Sequence, residues 1–83
     1  MDHYLFTARS ITHAQRMAQA LERSGVYMRI SRIGAGFSSN GCGYALEVPA
    51  RQFHRAASLL KASGVLPVKA FFVSNGQKRE VAL

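Results

Sequence analysis

The apolar positions along the chain follow two periods. Ile11, Ala14, Met17, Ala18 and Leu21 recur at helical spacing, with Gln15, Arg16, Gln19, Glu22 and Arg23 on the opposite face. Thr12-His13-Ala14-Gln15 fits a capping box at the start of this helix, with Ser10 as the rival cap. Gly25 permits the left-handed backbone that ends it. A second stripe, Phe53, Ala56, Ala57 and Leu60, has Arg51, Arg55 and Lys61 outside it, starts after Pro49 and closes at Gly64. Between and around these helices the period drops to two. His3-Tyr4-Leu5-Phe6-Thr7 reads as a strand, and Val26, Met28 and Ile30 alternate with Tyr27, Arg29 and Ser31 as a second. Tyr44, Leu46 and Val48 alternate with Ala45 and Glu47 as a third, and Val65 to Val73 forms a fourth, for which Pro67 suggests an edge position.

Leu21-Glu22-Arg23-Ser24-Gly25-Val26 echoes Leu60-Lys61-Ala62-Ser63-Gly64-Val65, each the end of a helix feeding a strand. The chain is therefore β-α-β twice. That order in about 80 residues predicts an α+β, ferredoxin-like βαββαβ two-layer sandwich: an antiparallel-dominated sheet with both helices on one face. Strands one and three are expected side by side and parallel at its centre. The other face is expected to be open, carrying Tyr27 and Arg29 and offering a surface for a homodimer. Asn75-Gly76 is a two-residue turn signal, so a short fifth strand is expected over Gln77 to Val81. Asn40-Gly41 carries the same signal. A chain of 83 residues buries only about 60–65% of its unfolded surface and supports one core, so residues 1–83 are expected to form a single domain, with core 3–73 and a hairpin or tail over 74–83.

Composition narrows the functional classes. No apolar run reaches the roughly 20 residues that a bilayer requires, so no membrane partner is expected. Met1-Asp2-His3-Tyr4 has an acid where a secretory signal would be positive, and the one cysteine permits no internal disulfide. Together these lead us to expect a cytoplasmic protein. Eleven Lys/Arg against four Asp/Glu give a formal charge of +7, which favours an anionic partner without choosing among nucleic acid, an acidic protein and a small anion. His3, His13 and His54 do not converge in this topology, so no metal site is expected. The acids are few and none are paired in sequence, which gives carboxylate acid/base catalysis little support.

The single cysteine, Cys42, lies in Ser38-Ser39-Asn40-Gly41-Cys42-Gly43 at the entrance to the third strand. It reads in two ways. One is a small buried hydrophobe at a strand start. The other is an exposed thiolate, with flanking glycines leaving the sulfur uncovered and His3, Arg32, Lys78 and Arg79 expected at the same end to stabilise the anion. Opposing this second reading, both helices are expected to direct their C-terminal, partly negative ends toward that edge.

Ser-Ser followed by Cys-Gly-Tyr-Ala-Leu, the capped helix before it and the chain length together resemble the selenium/sulfur-carrier-like family of small bacterial proteins, over most of residues 3–72. The resemblance implies that Cys42 holds sulfur or selenium as a transient persulfide or selenopersulfide, with Gly43 and Ser39 in its loop, for transfer between donor and acceptor proteins. It implies no resident cofactor and no turnover by the carrier alone. This chain differs in having Asn40-Gly41 between the serines and the cysteine and a basic tail after Val73. The competing reading is a non-catalytic nucleic-acid- or protein-binding module acting through its sheet, with Tyr4, Phe6, Tyr27, Tyr44, Phe71 and Phe72 as candidate base-stacking aromatics. It is weakened because most of these are in phase with apolar neighbours and no Lys/Arg-Gly-Phe signature occurs.

Overall fold

The computed structural model describes residues 2–33 and 43–82. Strand β1 (His3–Thr7) leads into helix α1 (Ile11–Glu22), followed by β2 (Arg29–Arg32) and β3 (Tyr44–Pro49). One turn of 3₁₀ helix over Ala50–Gln52 opens helix α2 (Phe53–Ser63), and β4 (Ala70–Ser74) and β5 (Gln77–Val81) complete the chain. The strands form one five-stranded sheet in the order β2-β3-β1-β4-β5. Every pairing in it is antiparallel.

Strands β1 and β3 are adjacent, as expected, but they are antiparallel, with His3 opposite Pro49 and Thr7 opposite Ala45. The parallel pairing expected from the sequence is corrected by the connections. Helix α1 returns the chain so that β2 runs the same way as β1, and β3 pairs antiparallel with β2, so β3 must oppose β1.

The helix ends explain the internal repeat. Gly25 and Gly64 have φ of 76° and 71°. In each case the glycine amide donates to a carbonyl three residues back, Glu22 or Lys61, and the following valine amide donates to Leu21 or Leu60. This is the same Schellman closure twice. Each valine sits in the apolar cluster with its bonded leucine, so the motif both stops a helix and anchors the chain leaving it. At the other end of α1 the cap is Ser10, whose Oγ accepts from the His13 amide at 3.1 Å, rather than Thr12. The helix thus starts one residue before Thr12, and Ile11 is left 40% exposed at its first position.

Two apolar clusters sandwich the sheet. Met17, Leu21, Ala56 and Leu60 of the helices pack on Phe6, Leu46, Val48 and Ala70 of alternate strand positions, all buried. The Phe53 ring stacks on Tyr4 and Phe6, with centroids 4.0 and 5.7 Å apart. On the opposite face Leu5, Ala45 and Phe71 are buried, with Ile33 and Val73 against them.

Strand β2 is shorter than its alternation predicts: Val26 is buried but lies in the connection, and Tyr27 is exposed ahead of the strand. Strand β4 is not an edge, because β5 covers it, and Pro67 lies in the connection before it. The fifth strand forms as expected. Asn75 and Gly76 both take positive φ, 54° and 79°, the primed turn that matches strand twist. Because a β-branched side chain is strained at that φ, Gly76→Val is expected to cost about 1–2 kcal/mol in chemical denaturation. A variant as stable as the parent would show that the turn does not hold β5 to β4.

Candidate functional site

The antiparallel centre decides which side chains meet at each end of the sheet. Arg32 lies opposite Tyr44, and the ladder continues one step beyond the strands, the Ile33 amide donating to the Gly43 carbonyl at 2.7 Å. From the other side, the Ala8 amide donates to the Tyr44 carbonyl at 3.1 Å. The entrance to β3 is therefore held between the exit of β2 and the exit of β1. The Arg32 guanidinium lies over the Tyr44 ring, 5.7 Å from its centroid. A Cβ at Gly43 would stand 3.4 Å from the Ile33 carbonyl oxygen, and the residue does not need a left-handed backbone. That is ordinary van der Waals contact, so neither close approach nor dihedral freedom requires glycine here, and its effect is to leave the strand entrance uncovered.

Helix α1 begins at this end, because Ala8 and Arg9 connect β1 to it. Its N-terminal dipole therefore points here, while α2 ends here at Gly64. The expectation that both helices direct their C-termini to this edge fails for α1, again because β3 opposes β1. Next to the entrance, His13 is buried on the first turn of α1. Its Nδ1 accepts from the Arg9 amide at 3.0 Å and its Nε2 lies 3.0 Å from the Leu66 carbonyl oxygen. Burial, chiefly, and the charge of Arg9 hold His13 below its ordinary value of 6.5, against a smaller opposing effect of the Leu66 carbonyl.

Of the residues singled out in the sequence, Cys42, Ser38, Ser39, Asn40 and Gly41 lie outside the described residues. Gly43 and Arg32 come together at the β3 entrance. His3, Lys78 and Arg79 do not join them: His3 pairs with Pro49 and Val73, Val73 pairs with Lys78, and Phe72 pairs with Arg79. These three lie toward the far end of the sheet, since the four steps from His3 to Thr7 span roughly 13 Å. Their expected place beside Cys42 depended on the parallel pairing. There His3 Nε2 is 3.7 Å from Glu47 Oε2, Arg29 also pairs with Glu47, and Arg79 covers Phe72.

The cations near the β3 entrance are Arg32, Arg9 and Lys69, the last at the start of β4 where the Thr7 amide donates to its carbonyl. Sequence reasoning did not place Arg9 or Lys69 here; the antiparallel order of β1 and β3 would have done so. The acids are elsewhere or engaged. Asp2 is at the His3 end, accepting from the Ser74 hydroxyl, and Glu22 ends α1. Glu47 is paired with Arg29, and Glu80 lies 3.9 Å from Lys69.

The sheet face away from the helices offers little to a nucleobase. The register places Leu5, Ala45, Glu47, Arg29 and Phe71 on it, and its aromatic among the described strand residues, Phe71, is 8% exposed. Tyr27, although exposed, lies outside β2. Among the described residues, no helix is long and apolar enough to cross a membrane.

No curated protein and no solved structure matches the chain. The family model described as "Putative Se/S carrier protein-like" matches residues 3–71, covering β1 through the first half of β4. The chain belongs to the Se/S carrier protein-like family.

Proposed function

We propose that the protein carries sulfur or selenium on Cys42 as a persulfide or selenopersulfide and passes it between a donor and an acceptor protein. Family membership over residues 3–71 supplies the chemistry, and the observation that carries it to this chain is the charge layout at the β3 entrance. Gly43, the residue after Cys42 in the chain, is bonded to Ile33 next to Arg32, at the end toward which α1 directs its N-terminus. Positive charge of this kind favours thiolate over thiol, against the opposing C-terminal end of α2 at the same edge. The order β2-β3-β1-β4 and the packing of both helices on one cluster support a single ferredoxin-like βαββαβ domain over residues 1–83, with β5 added beside β4.

The transfer needs no oxidant. The Cys42 thiolate attacks the terminal sulfur of a donor persulfide, a new S–S bond forms as the donor's S–S bond breaks, and the donor leaves as its thiolate. The acceptor repeats the step on the Cys42 persulfide, returning Cys42 as thiolate. Selenium follows the same exchange. The protein itself turns nothing over and works as a carrier in the cytoplasm, with the donor and acceptor as partners.

Loading with a low-molecular-weight persulfide, read by intact mass, is expected to add one sulfur to the wild type and none to Cys42→Ser, and a thiol acceptor should remove it. Failure of the wild type to gain sulfur would sink the proposal. Gly43→Ala separates access from folding. Its backbone permits alanine, so stability should change by less than about 1 kcal/mol, while the added methyl at the strand entrance slows transfer to a protein acceptor. Unchanged transfer would remove Gly43 from the site.

A further inference from the structure

His13 is a buried titratable side chain that the carrier chemistry does not use. It is 6% exposed, and both of its ring nitrogens are engaged. The Arg9 amide can only donate, so Nδ1 must be unprotonated; the proton is on Nε2, which donates to the Leu66 carbonyl. The neutral ring thus bridges two segments far apart in sequence, the turn between β1 and α1 and the connection between α2 and β4.

We infer that His13 is a proton-operated latch whose neutral ring fastens the β1–α1 turn to the α2–β4 connection and whose protonation releases them. A proton arriving at Nδ1 faces the Arg9 N–H directly, so two donors meet where one bond stood. The surrounding groups do not compensate. Arg9 from the turn and Arg16 from α1 both oppose a positive ring, and the α2–β4 connection supplies the Leu66 carbonyl, already bonded. Among the described residues no ionisable group of β1 or α2 acts on the ring, and no carboxylate does.

The sign follows from the lowered folded value. Above the ordinary 6.5 of the unfolded chain, the latch contributes its full stability. That contribution is lost as pH falls from there through the folded value, because the unfolded chain then binds the proton more readily. The turn that loosens is the one whose Ala8 amide holds the Tyr44 carbonyl, so the latch acts at the β3 entrance whatever the protein carries.

The test is an NMR pH titration of the full chain from mildly alkaline to pH about 5, following the His13 ring and hydrogen exchange of the Arg9 amide, corrected for intrinsic exchange. The His13 midpoint is expected below 6.5. As pH falls from 6.5 to that midpoint, Arg9 protection should fall by up to about tenfold per pH unit, as one coupled proton requires, and level off below it, while the Phe6 amide in the sheet stays protected. His13→Asn keeps an acceptor for Arg9 without a titration and should show no such step. A midpoint at or above 6.5, constant Arg9 protection between 6.5 and the midpoint, or parallel loss at Phe6 overturns the latch, and the wild-type titration alone decides if the variant does not fold.

Discussion

Strand β1 takes hydrogen bonds on both edges, antiparallel to β3 on one side and to β4 on the other, and the arrangement of the whole chain depends on that placement. A central strand has no free edge, so its backbone groups are paired wherever its side chains are buried. Phe6 and Leu5 then anchor opposite apolar clusters from adjacent positions, one under the helices and one on the other face. Because both crossovers run through helices on the Phe6 side, the direction of β1 also fixes the directions of α1 and α2. α1 starts where β3 enters, and α2 starts where β3 leaves.

This placement separates the charges. The β3 entrance receives Arg32, Arg9 and Lys69, the last paired with Glu80, together with the N-terminal dipole of α1 and the opposing C-terminal end of α2. The far end receives His3, Lys78 and Arg79, with Asp2 nearby and Glu47 bound by Arg29. A formal charge of +7 on 83 residues thus reaches both ends, but the acids that would neutralise it favour the far end or are already paired. In water a unit charge acting across several ångströms is worth less than about 1 kcal/mol, so no single cation dominates and the helix terminus contributes on a similar scale.

Much of this was legible in the sequence because the signals were local. The repeated Ser-Gly-Val closures announce two helix ends, since a left-handed glycine followed by an apolar residue is a common way to satisfy the last carbonyls, and both closures form with the same bonds. Asn75-Gly76 announces the hairpin that makes β5. The stripe of Phe53, Ala56, Ala57 and Leu60 faces the sheet, although Phe53 is only partly buried where it stacks on Tyr4. Pairing direction is not carried by strand alternation, which is identical for either direction, but by the order of the connections, and one wrong direction moved His3, Lys78 and Arg79 to the wrong end. Pro67 misled for a related reason: it marks a break in regular pairing, and the break lies in the connection rather than on an edge strand. The cap was ambiguous because Ser10 and Thr12 both offer hydroxyls, and geometry chose the one that accepts the His13 amide.

Carriage on Cys42 requires the β3 entrance to favour an anion at the residue before Gly43. The direct measurement is the pH dependence of Cys42 alkylation in the intact protein, repeated in Arg32→Gln. We predict a thiol pKa below the ordinary cysteine value of about 8.5, rising when Arg32 loses its charge. A value at or above about 8.5, or a thiol that does not react, would contradict the account and leave Cys42 as a packing residue.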